Sequence, residues 1–133
     1  MHTRSWQYLL ISLAVGALAR CTDLLAPCSG AVTVTSTSSV SPTLSWTPNC
    51  RIDKLVVEEP LPPSAGDSHL LWVISARTPG EGAAAPIRYG QVPASMQESV
   101  PAEPMAMGHS YRIRVLVGGA TVGERPFTYW APD

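Results

Sequence analysis

From Tyr111 to Val117 the chain alternates side chains with a period of two: Tyr111, Ile113, Val115 and Val117 fall on one side, and Arg112, Arg114 and Leu116 on the other. A β-strand with one buried face has this period, because successive side chains point to opposite sides of the sheet. Gly118-Gly119 follows where a tight hairpin turn belongs, and Thr121 to Trp130 returns beside the strand. Pro126 lacks the N–H that an inner ladder needs, so the returning strand lies at an edge or carries a bulge. A hairpin of this kind needs other strands to cover its apolar face, and the rest of the chain must supply them.

The remaining sequence supplies short strands between strong breakers. Its thirteen prolines and ten glycines favour turns over long helices. Val32 and Val34 alternate with Thr33 and Thr35, as in a first edge strand before the turn STSSVSP. Thr43 to Trp46 places Leu44 and Trp46 on one face, and Thr47-Pro48-Asn49 ends that strand. Ile52 to Glu59 reads as a third strand, with Leu55 and Val57 inward and Lys54, Val56 and Glu58 on the opposite face. Pro60, Pro62 and Pro63 close it. The apolar run Leu70 to Ser75 is a fourth strand in which Leu70, Trp72 and Ile74 share a side. Arg77 to Pro86 is a Gly/Ala/Pro loop, Ile87 to Gln91 a short strand, and Met96 to Val100 a loosely apolar segment. About seven short strands at this spacing predict an all-β fold, an antiparallel two-sheet sandwich. Its expected core is Leu44, Trp46, Leu55, Val57, Trp72, Ile74, Tyr111, Ile113 and Val115.

The N-terminus addresses compartment rather than fold. Trp6 to Ala19 is an apolar stretch of about fourteen residues behind His2 and Arg4, the pattern of an export signal. It is short of the roughly 20 residues that cross a bilayer. Two processing routes fit. Ala17-Leu18-Ala19 has the small-x-small form of signal peptidase cleavage, leaving Arg20 first. Leu18-Ala19-Arg20-Cys21 instead resembles a bacterial lipobox, which implies acylation of Cys21, with Arg20 departing from the small residue that pattern carries. Three cysteines leave one unmatched in an oxidising compartment. Lipidation of Cys21 accounts for it and leaves Cys28 and Cys50 as a candidate pair, although spacing alone does not bring them together. The expected organisation is an export signal over 1–20, a tether over 21–30 and one folded domain over 31–133.

Within that domain SPTLSWTPN resembles the second strand of fibronectin type III-like domains, which belong to the immunoglobulin-like sandwiches, with Trp46 in the core tryptophan position. MAMGHSYRIRV is similar to that fold's approach to its sixth strand. The resemblance implies that Met105 replaces a leucine, that Gly108 is the turn glycine and that Tyr111 forms the tyrosine corner. It covers about residues 30 to 130 and departs from the family in the insertions at Pro60 to Gly66 and Thr78 to Pro86.

Chemistry is sparse. With the leader removed, seven basic residues face ten acidic ones, a net charge of about −3 that argues against nucleic acid or an anionic membrane face as partner. His69 and His109 read as solvated turn residues without metal-ligand spacing. Glu58 and Glu59 are adjacent, so a strand points them apart, and each reads as a solvent-side charge. Gly80 to Ala85 lacks the βαβ context of a dinucleotide site. No catalytic residue, metal site or cofactor is expected. Trp72, Tyr89, Tyr129 and Trp130 form a surface for stacking on sugar rings or filling a partner's pocket if they are exposed together, and otherwise are core or edge cover. Arg112 and Arg114 share an outward face as a small cationic strip, which Arg88 joins only from a neighbouring strand. The expected function is a non-enzymatic structural or adhesive module presenting loops to an envelope protein or a glycan, touching the membrane only through an acylated Cys21. The alternative is a small exported enzyme, or a carbohydrate-binding accessory of a hydrolase, acting on envelope polymers.

Overall fold

The structure, a computed structural model, describes residues 25–37 and 41–130. The export signal, Cys21 and the first part of the expected tether lie outside the described residues. The described chain is all-β, built from two antiparallel sheets packed as a sandwich. The smaller sheet has the order β1 (Thr33–Ser36), β2 (Thr43–Thr47), β5 (Ile87–Arg88). The larger has the order β6 (Met96–Val100), β4 (His69–Ala76), β3 (Lys54–Glu59), β7 (Ser110–Val117), β8 (Ala120–Thr128). A single 3-10 turn, Pro63–Ala65, interrupts the β3–β4 connection.

Alternation does most of the folding work. Val34, Leu44, Trp46 and Ile87 from the small sheet meet Leu55, Val57, Trp72, Ile74, Ile113 and Val115 from the large one in a single core. Each fully buried side chain of this size contributes roughly 1.5–3 kcal/mol before entropy is counted. The Trp46 indole N–H donates to the Cys50 carbonyl at 2.8 Å, so the ring enters the core with its polar atom satisfied. Gly118 and Gly119 both take positive φ, 59° and 82°, as a type I′ hairpin requires, and β8 runs back along β7 as an edge strand. Pro126 therefore costs no inner ladder bond.

Two features depart from simple alternation. The β3–β4 register shifts between Val57 and Glu58, with Val57 opposite Trp72 and Glu58 opposite Leu70. Leu71 is the extra residue of this bulge. Leu71 and Trp72 are both buried, whereas Leu70 is 40% exposed, so Leu70 does not share a side with Trp72 and Ile74 as the period-2 reading expects. The outward face of β3 is also not simply wet: Val56, Val73 and Leu116 are buried there as a second small cluster, with Val100 packed against them.

The sheets are tied at one side by close backbone approach. Val32 N–H donates to the Val122 carbonyl at 2.9 Å, and a Cβ built on Gly123 would lie 2.7 Å from Val32 Cγ2. Glycine at 123 is what lets β1 lie on β8. Cys28 and Cys50 form a disulfide across 22 residues of chain. Beside it, Cys28 N–H donates to the Arg51 carbonyl and Arg51 N–H to the Ala26 carbonyl, both at 2.9 Å, fastening the Leu25–Gly30 stretch to the β2–β3 turn. A C28A/C50A double variant is expected to keep the β-sheet circular dichroism and lose about 2–4 kcal/mol in urea unfolding. An unchanged midpoint would mean that the bridge constrains nothing.

Candidate functional site

The residues singled out in the sequence separate into three places. Trp72 and Tyr89 are buried in the core and meet edge to face, with ring centroids 5.2 Å apart. The Trp72 indole N–H donates to Glu98 Oε2 at 2.7 Å, and the Tyr89 hydroxyl donates to the Glu103 carbonyl. Trp130 is 58% exposed and lies elsewhere, beyond the end of β8. Trp72, Tyr89, Tyr129 and Trp130 therefore make no common exposed platform: the first three are buried in the core and Trp130 is at the surface.

Arg112 and Arg114 are not a solvated strip. Both converge on Glu58, which is only 3% exposed. Glu58 Oε1 accepts from Arg112 Nε and Arg114 Nε, each at 2.8 Å, with Arg112 Nη2 at 2.7 Å. Removing a lone carboxylate from water costs several kcal/mol, and two guanidinium partners offset that cost here. The expectation of a solvent-side Glu58 fails because β7 runs alongside β3 and places Arg112 directly opposite Glu58, with Arg114 two residues further along on the same face, opposite Val56. Arg88 belongs to β5 in the other sheet and plays no part.

The histidines are exposed but not solitary. His69 Nε2 lies 2.8 Å from Glu103 Oε2, and His109 Nδ1 lies 2.9 Å from Glu59 Oε1. Glu59 and His69 face each other across the β3–β4 ladder, so both pairs gather at one end of the large sheet. A His–carboxylate pair can orient an imidazole, but catalysis also needs a reacting group held in a cleft beside it. None of the three clefts described below is lined by either histidine. Among the described residues no group of three His, Cys, Asp or Glu is placed to hold a metal ion.

The clefts are shallow. One of about 400 Å³ lies beside the disulfide, between Leu25–Val32 and Pro48–Cys50. One of about 50 Å³ lies near Arg51 and Glu81. A third, of about 180 Å³, opens between the end of β1 and the end of β8, where Ser36 and Thr37 face Arg125, Phe127, Thr128 and Trp130. Its construction follows from the strand directions. β1 touches β8 at Gly123 and ends at Ser36, leaving the last part of β8 uncovered. Phe127 rests on the Tyr111 ring at 5.7 Å and forms the floor. Trp130 stands over Gly108, where a Cβ would be 3.8 Å from the indole.

The cleft is also lined by the buried Tyr129, and of all its lining residues the sequence singles out Tyr129 and Trp130. Arg125, Ser36 and Thr37 carry no local pattern, and their meeting depends on how two strands far apart in the chain diverge. The chain matches no family model, no curated protein and no solved structure.

Burial, with the nearby Glu103 carboxylate, pushes the Tyr89 phenol up to about 12. In the unfolded chain the phenol titrates near pH ~10. Tyr89 therefore lends its full contribution below about pH 10, and that contribution falls as pH rises toward about 12, because only the unfolded form releases the proton in that window. Urea unfolding across that range should show declining stability in the parent protein and a shallower decline in Tyr89→Phe. Equal slopes would remove Tyr89 as the cause.

Proposed function

We propose that this chain is an exported, non-enzymatic recognition module of the fibronectin type III-like class, working at the cell envelope. The reading is supported first by local geometry. Tyr111 accepts a hydrogen bond at its hydroxyl from Ala106 N–H, five residues upstream, at 2.7 Å, which is the tyrosine-corner arrangement. Gly108 takes a positive φ of 80°, and Met105 packs against the core, the roles the resemblance assigns to them. The disulfide points to an oxidising, extracytoplasmic setting, in line with the export signal at 1–20. No helix of the described residues is long and apolar enough to cross a membrane. On this reading attachment runs through acylated Cys21, or is absent if cleavage follows Ala19.

The observation that carries recognition over catalysis is Trp130. It is the most exposed aromatic residue among the described large apolar side chains, and it edges a cleft lined by hydroxyls and one arginine. That is a surface for holding a ligand. The rival reading, a small hydrolase, keeps one support: each histidine meets a carboxylate.

The leaderless protein is expected to co-sediment with isolated envelope material and to leave envelope polymers intact on prolonged incubation. Release of soluble fragments that disappears in His69→Ala or His109→Ala would establish the hydrolytic alternative. A protein that stays in the supernatant would contradict recognition at the envelope.

A further inference from the structure

The β1–β8 cleft is too small to envelop a cofactor. At about 180 Å³ it falls below the roughly 300–1,000 Å³ of enclosed small-molecule pockets, and it suits a single ring held against one wall. We infer that it binds the terminal ring of a carboxylate-bearing saccharide, with the sugar face on Trp130 and the carboxylate on Arg125. This deepens the recognition reading above and rests on it.

Three observations carry the assignment. Trp130 is more than an isolated exposed apolar residue, which would need no explanation. Its ring is braced over Gly108, a residue whose positive φ of 80° resists replacement, while more than half of the side chain stays open to solvent. An indole held in this way offers a flat apolar face to the C–H face of a pyranose. Ser36 and Thr37 add hydroxyls that both donate and accept, matching the hydroxyls of a sugar, and Thr128 adds a third that is shared with Ser110 Oγ at 3.3 Å. Thr37 Oγ1 already accepts from Thr43 N–H at 2.8 Å, which leaves its O–H to donate outward. Arg125 makes one long contact, 3.5 Å, from Nη1 to the Val34 carbonyl, so the planar fork of the guanidinium is available to a carboxylate.

A peptide strand is the competing occupant, and the edge here suits it poorly. Pro126 removes a donor from β8, and Val32 already occupies the Val122 carbonyl. Backbone pairing, the main source of affinity in strand addition, is thus interrupted at the position the cleft would require.

Indole N–H resonances of the leaderless protein test the inference with built-in controls. Trp46 and Trp72 have their indole N–H bonded to Cys50 and Glu98, while Trp130 faces the cleft. Titration with glucuronic acid should shift the Trp130 signal saturably in the millimolar range and leave the other two in place. Glucose should bind at least about fivefold more weakly. Arg125→Met should erase that preference, and Trp130→Ala should abolish binding of both sugars; an unchanged pattern of dispersed amide peaks certifies that each variant folds. The more conservative Trp130→Phe should bind detectably if the alanine variant fails to fold.

No shift at Trp130 with glucuronic acid overturns the inference. So does an acid preference that survives Arg125→Met, or a shift produced only by a short acidic peptide. Envelope co-sedimentation that persists despite such a result would leave the recognition reading standing and locate it on another surface. Loss of co-sedimentation as well would remove both.

Discussion

Everything else in this molecule depends on β3 being held on all four sides. It pairs with β4 on one edge and β7 on the other, its inner residues Leu55 and Val57 are fully buried, and its outer residues Val56 and Glu58 are buried as well. An interior strand of this kind fixes register, because sliding it by one residue would send Leu55 and Val57 outward and drive Lys54 into the core. The charged member of the outer row makes the constraint stricter. Glu58 tolerates burial only where Arg112 and Arg114 arrive beside it, so the ion-pair cluster and the β3–β7 register support each other.

The sandwich then deals with its exposed edges by local means. β8 carries Pro126 and is partly covered by β1. β6 is only five residues long, carries Glu98 and is flanked by Pro93 and Pro101. Short, proline-bounded edge strands of this kind pair poorly with a second chain. The same economy creates the cleft: β1 covers β8 at Gly123 and then stops, so the end of β8 stays open and Trp130 remains at the surface. The core and the cleft thus use different aromatic residues: Trp46 and Trp72 are buried, and Trp130 lines the cleft.

How much of this was legible in the chain depends on the range of the interaction. Period-2 runs announced β1, β2, β3 and β7, the Gly118-Gly119 turn announced the last hairpin, and all nine expected core residues are buried. The bulge at Leu71 was not legible, because Leu70, Leu71 and Trp72 are all apolar and either phase satisfies the pattern. Glu58 reads as solvent-side in the sequence because its partners lie more than fifty residues away and nothing local distinguishes a carboxylate facing two arginines from one facing water. The histidine pairs and the cleft were hidden for the same reason. The segments that bear on export and on Cys21 lie outside the described residues, so the sequence alone speaks for them.

Native-state hydrogen exchange on the leaderless, oxidised protein addresses the central claim directly. If β3 is the enclosed strand of the sandwich, the amides of Leu55, Val56 and Val57 exchange only through global unfolding, together with those of Ile113 and Val115 opposite them. The edge strands β6 and β8 exchange through smaller openings and lose protection first. Exchange of the β3 amides as fast as those of β8 would contradict the account, because no interior strand would then organise the fold.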